Sequence, residues 1–98
     1  MDKVLAISDI QSNVVHVAKF FDVKKVSLFG SYANGKPNAE SDIDLLVEFG
    51  DKATYLTVFD FQDKIQSKIG KGVDVIPAPI PNDSFLVINK EVLLYERA

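Results

Sequence analysis

The chain has 98 residues, 47% of them apolar, enough for one hydrophobic core with little left for a second lobe. Eleven basic side chains against fourteen acidic ones give a net charge of −3, so no general attraction for nucleic acid or an anionic membrane is expected. There is no cysteine, which excludes disulfides and thiolate metal sites and fits a reducing cytoplasm.

At the start, only Val4–Ile7 form an unbroken apolar run before Ser8 and Asp9. That is too short for a signal peptide or a membrane span, so a soluble, cytoplasmic protein is expected. The stretch SDIQSNVVHVAKFFD then reads as a helix. Ser8 and Gln11 have capping-box spacing, and Ile10, Val14, Val17 and Phe21 recur on one face. A short strand, Val26 to Phe29, follows and ends at Gly30. The polar loop GSYANGKPNAES comes next, with room for a helical turn after Gly30.

In DIDLLVEF the alternation is clean. Ile43, Leu45, Val47 and Phe49 point one way, and Asp42, Asp44, Leu46 and Glu48 the other, as in a half-buried strand. TYLTVFDFQDKIQSKIG is a second long helix with Val58, Phe61, Ile65 and Ile69 inward and Gly70 as its C-cap. Phe59 and Phe61 are both expected in the core. GVDVIP is a third strand stopped by Pro77, and PAPIPND an extended connector. The tail is expected to hold a short helix from about Ser84 and a terminal strand around Val92–Tyr95. The order of elements predicts one α/β (α+β) domain.

The acids at the mouth of the second strand carry the chemistry. Residues i and i+2 of a strand share a face, which sets Asp42 and Asp44 roughly 6–7 Å apart. Two such charges repel by about 3 kcal/mol at an effective dielectric near 20, so a sheltered pair needs a cation or a proton. Asp74 sits between Val73 and Val75 in an otherwise apolar strand, and on the same face it would make a third carboxylate. Three hard oxygen donors suit Mg²⁺, which also takes waters and substrate phosphates. The loop before them offers a close backbone approach at Gly30, a hydroxyl at Ser31, amides at the start of a turn, and Lys36 as a nearby positive charge. Taken without further context, an Asp-x-Asp pair is also compatible with a solvated strand edge.

The stretch GSYANGKPNAESDID resembles the signature of the polymerase-β-like nucleotidyltransferases: Gly-Ser, ten residues, then Asp-x-Asp, with a third Asp on a later strand as in VDVI. The likeness runs from about Val23 to Ile76, and the ending VLLYE is also typical. Its small size looks most like the minimal nucleotidyltransferases, commonly antitoxins paired with HEPN-domain toxins. The resemblance implies the nucleotidyltransferase fold, a small mixed sheet with helices on one face and the carboxylates at its open side, formed by residues 1–98 as a single domain. It implies two Mg²⁺ ions on Asp42 and Asp44, with Asp74 completing the second site and helping to activate an acceptor hydroxyl. Gly30 and Ser31 would hold the β- and γ-phosphates of ATP. The acceptor would be a tyrosine of a HEPN-type toxin encoded nearby, with no direct nucleic-acid or membrane partner. Many relatives carry Arg or Lys where this chain has Asn34.

Two function classes follow: an AMP-transferring enzyme, and a binding module that silences its partner by occlusion. His16, the only histidine, sits among valines and is expected to pack at a helix edge rather than to catalyse. Lys24, Lys25, Lys68 and Lys71 read as solvated charges. Glu48 shares the acids' face but lies further along the strand.

Overall fold

In the computed structural model, which describes residues 4–80, 88 and 90–97, the elements are α1 (Ile7–Ala18), β1 (Val23–Phe29), α2 (Gly30–Ala33), β2 (Ile43–Phe49), α3 (Tyr55–Ile69), β3 (Val73–Pro77) and β4 (Val92–Glu96). The strands form a mixed sheet in the order β3-β2-β1-β4. β1 is antiparallel to β2 and β4, while β2 and β3 run parallel and are joined through α3. A parallel pair requires such a crossover, and the α3 stripe expected from sequence supplies it.

The core lies between the helices and one face of the sheet. Ile10 and Val14 of α1, Phe61 and Ile65 of α3, and Ile43, Leu45 and Val47 of β2 are all fully buried. Each such side chain contributes roughly 1.5–3 kcal/mol of burial free energy. Alternation along β2 therefore turns Asp44, Leu46 and Glu48 to the face away from the helices. Among the described residues, no helix is long and apolar enough to cross a membrane.

Several local expectations need correction. The capping box at Ser8 and Gln11 does not form, because α1 starts at Ile7, with Ala6 as an N-cap that makes no side-chain bond. Gln11 Nε2 instead donates to the Leu94 carbonyl, tying α1 to β4 at 3.2 Å. The reciprocal cap occurs on α3, where Thr54 and Thr57 satisfy each other's backbone N–H groups. Phe59 is 65% exposed while Phe61 is fully buried. Residues two apart on a helix point to nearly opposite sides, so the two rings cannot share a core. β1 begins at Val23 rather than Val26, and its register with β2 shifts between Val23 and Lys25.

Other features match. Gly70 closes α3 in the left-handed conformation at φ 77°, its N–H donating to the Gln66 carbonyl at 2.8 Å. The short turn of helix after Gly30 is α2. The terminal strand lies at Val92–Glu96. The tail helix expected from Ser84 lies outside the described residues, as does the later part of the proline-rich connector.

Candidate active site

Three strands bring the sequence motifs into one row. Asp44 is the Cα partner of Phe29 at the end of β1 and of Asp74 on β3. Neighbouring strands lie about 4.8 Å apart, so the Gly30 turn, Asp44 and Asp74 occupy adjacent positions at one end of the sheet. Asp42 sits one residue before β2 begins, at the same end. The Ile43 N–H donates to the Gly72 carbonyl at 2.9 Å, lacing the start of β2 to the start of β3.

The turn after β1 is shaped around Asp44. Phe29 is extended, and Gly30 then takes φ 75° as the first residue of α2. An L side chain is disfavoured at that angle, and a Cβ at residue 30 would also collide with Asp44 Oδ2. The glycine expected to admit a phosphate thus already admits a carboxylate. A second close approach is absent from the sequence reading: a Cβ at Gly72 would run into the Asp42 carboxylate. Asp44 thus sits against the end of β1 and Asp42 against the start of β3. The one sequence signal for Gly72 is its place two residues before Asp74.

Electrostatics follow from this packing. Asp44 is half-buried, whereas Asp42 and Asp74 are exposed. Burial, followed by the charges of Asp74 and Asp42, pushes the Asp44 carboxyl above the ordinary carboxylate range. Asp44 thus gains from a cation at this end of the sheet. The donor set fits Mg²⁺ in kind, since it consists of carboxylate oxygens. Among the described residues, however, no three His, Asp or Glu side chains gather around one point as metal ligands.

The surrounding loop is polar. Ser31 is half-buried beside Gly30, and the Lys36 N–H donates to the Ser31 carbonyl at 3.0 Å. Asn34 and Lys36 are exposed. Lys71, expected to be a free solvated charge, donates from Nζ to the Ala39 carbonyl at 2.7 Å. It borders a polar cleft of about 360 Å³ that Glu40, Asp42, Gln66 and Gly72 also line. His16 lies exposed on α1, away from the acids, with its ring edge-on to Phe20 at 5.8 Å. Glu48 is exposed further along β2 and pairs in register with Lys25.

The chain matches the family "Polymerase beta, Nucleotidyltransferase" over residues 12–98. A Methanocaldococcus jannaschii protein assigned as a protein adenylyltransferase is 36% identical over 70 residues, 71% of this chain and 75% of the relative. A solved toxin–antitoxin structure with AMP-PNP superposes with a TM-score of 0.71 at 19% identity, over 89% of this chain and 73% of the other. A complex of tri-AMPylated Shewanella oneidensis HEPN toxin with its MNT antitoxin superposes with a TM-score of 0.57 at 19% identity, over 90% of this chain and 73% of the other. At these identities the structural likenesses establish the fold.

Proposed function

This chain belongs to the polymerase beta nucleotidyltransferase family, and from that premise we propose that it transfers AMP from ATP to a tyrosine hydroxyl of a partner HEPN-type toxin. The observation that most supports this reading is the row formed by the Gly30 turn, Asp44 and Asp74. It sets a turn suited to phosphate beside carboxylates suited to a divalent cation, which is the apparatus phosphoryl transfer needs. The M. jannaschii relative bears the name of that activity, and the Shewanella neighbour is an antitoxin held with an AMPylated toxin.

In this reading Gly30 and Ser31 hold the β- and γ-phosphates, and the carboxylates of Asp42, Asp44 and Asp74 hold Mg²⁺. Bound there, Mg²⁺ supplies charge neutralisation to the triphosphate. Asp74 receives the proton of the acceptor hydroxyl as its oxygen attacks the α-phosphorus. The bond from the α-phosphorus to the bridging oxygen breaks, and pyrophosphate leaves toward the Gly30 turn. The raised carboxyl of Asp44 marks the place where the cation gives most relief. The setting is the cytoplasm, where ATP and an intracellular toxin meet.

The test uses purified full-length protein, the toxin encoded beside it, and ATP labelled on the α-phosphate. Label on a toxin tyrosine, matched by released pyrophosphate and absent with Asp42→Asn/Asp44→Asn, is the expected result. An unlabelled toxin that is nevertheless bound and silenced overturns the enzyme reading in favour of occlusion.

A further inference from the structure

Among the described residues β3 is an edge strand, with β2 on one side and no strand on the other. Such a strand leaves alternate backbone N–H groups without a ladder partner. Here α3 takes them. Val73 N–H donates to Gln66 Oε1, and Val75 N–H donates to Gln62 Oε1, each at 3.0 Å. The two spacings match, since four residues along a helix advance about 6 Å and two along a strand about 6.6 Å. The order is crossed, the later glutamine meeting the earlier valine, because α3 returns against the direction of β3.

The residue between the two held amides is Asp74. Its own backbone is flanked on the inner side by β2, where its partner in register is Asp44. Two carboxylates facing each other across neighbouring strands repel, and among the described residues no further strand braces β3 against the push. An amide oxygen is well suited to this position, since it accepts a backbone N–H without adding charge to the acids.

We propose that Gln62 and Gln66 are positioning residues for Asp74: by holding the amides on either side of it, they keep β3 in the place that sets its carboxylate beside Asp44. Their side-chain oxygens are engaged by the β3 amides, so their part in the site runs through the placement of Asp74. The proposal rests on the nucleotidyl-transfer reading above and goes beyond it by giving the β3-facing side of α3 a part in the chemistry. That helix then has two duties, core packing through Phe61 and Ile65 and alignment of the site through the glutamines.

The test compares the full-length protein with Gln62→Leu, Gln66→Leu, the double leucine variant and the corresponding Gln→Glu pair. Mn²⁺ binding is followed by electron paramagnetic resonance in the presence of a non-hydrolysable ATP analogue. Kinetics of AMP transfer to the toxin and hydrogen exchange at the Val73 and Val75 amides complete the set. The double leucine variant is expected to lose about tenfold or more in Mn²⁺ affinity and in kcat, with KM for the toxin within about twofold. The two amides should exchange faster, while the glutamate pair, which still accepts both bonds, should restore their protection. Leucine variants that lose amide protection yet bind Mn²⁺ and transfer AMP like wild type overturn the proposal, as do single leucine variants that fail to fold. A wild-type protein that neither binds Mn²⁺ with the analogue nor transfers AMP overturns the functional reading first, and the clamp's purpose with it.

Discussion

Asp44 Oδ2 lies where the Cβ of any side chain at position 30 would have to go. Gly30 is thus constrained twice, by this contact and by its φ of 75°. Either constraint alone costs a substituted residue roughly 1 kcal/mol, and the contact also displaces a carboxylate that the proposed chemistry needs.

Gly30→Ala should therefore lower stability by about 1–3 kcal/mol and weaken binding of Mg-ATP, with Gly30→Val worse on both counts. Thermal melting and calorimetry measure the two effects. Combining Gly30→Ala with Asp44→Gly removes the collision but not the backbone strain, so the stability losses should be less than additive. Additive losses would show that Asp44 and residue 30 do not share that space.

Asp44 also predicts an unusual gain. Its carboxyl is held above the ordinary range by burial, Asp74 and Asp42. An acid with a raised folded pKa binds more protons folded than unfolded, so stability falls as pH rises from the unfolded value through the folded one. Asp44→Asn removes that loss. Without metal or nucleotide, the variant should melt slightly higher than wild type at pH 7, a gain kept small by solvent screening of a half-exposed group, with the advantage fading below the ordinary carboxylate range. It should at the same time lose nucleotide-dependent Mg²⁺ binding. A variant that is destabilised at pH 7 and stabilised in acid would reverse the sign and refute the account.

Asp22 behaves in the opposite sense. Arg97 Nη1 donates to its Oδ1 at 2.9 Å, and the Lys52 N–H donates to its Oδ2 at 2.9 Å. These bonds, the Arg97 bond foremost, hold the Asp22 carboxyl below its ordinary value. A depressed folded pKa contributes stability that is present above the unfolded carboxylate value and lost as pH falls through the folded one. Asp22→Asn should thus melt lower than wild type at neutral pH and converge with it in acid. Added salt should narrow the neutral gap, since the pair is exposed. A gap unchanged between acid and neutral pH would assign the effect to something other than charge.

Most of the site is legible along the chain because its periodicity is local. Alternation around Ile43, Leu45 and Val47 sets Asp44 on the face away from the core, and the valines flanking Asp74 do the same. The row that joins them is not local. Asp44 meets Asp74 only through the register set by the α3 crossover, and meets Gly30 only because β1 ends opposite it. The same limit explains Gly72, whose contact with Asp42 depends on pairing between strands. Phe59 departs from expectation for a different reason: its apolar character suggests core, and only the helical angle places it outside. The Ser8–Gln11 pattern fails because α1 starts before it, and cap spacing alone does not fix where a helix begins.

Asp74 separates catalysis from occlusion. It is exposed at the end of the sheet, and its backbone is held by β2 while its neighbours are held by α3. Replacing one carboxylate oxygen by an amide leaves those bonds in place, so Asp74→Asn should fold and should still associate with the toxin. What it removes is the carboxylate proposed to hold Mg²⁺ and to accept the proton of the attacking hydroxyl, which should cost about 100-fold or more in transfer. Co-expression with the neighbouring toxin, followed by intact-mass measurement, reads this directly. Wild type should add about 329 Da per AMP group to the toxin and rescue growth, whereas Asp74→Asn should co-purify with an unmodified toxin and rescue poorly. Equal rescue by both proteins, with a toxin whose mass never changes, would mean that contact alone silences it and that the acids at the end of this sheet have no part in the effect.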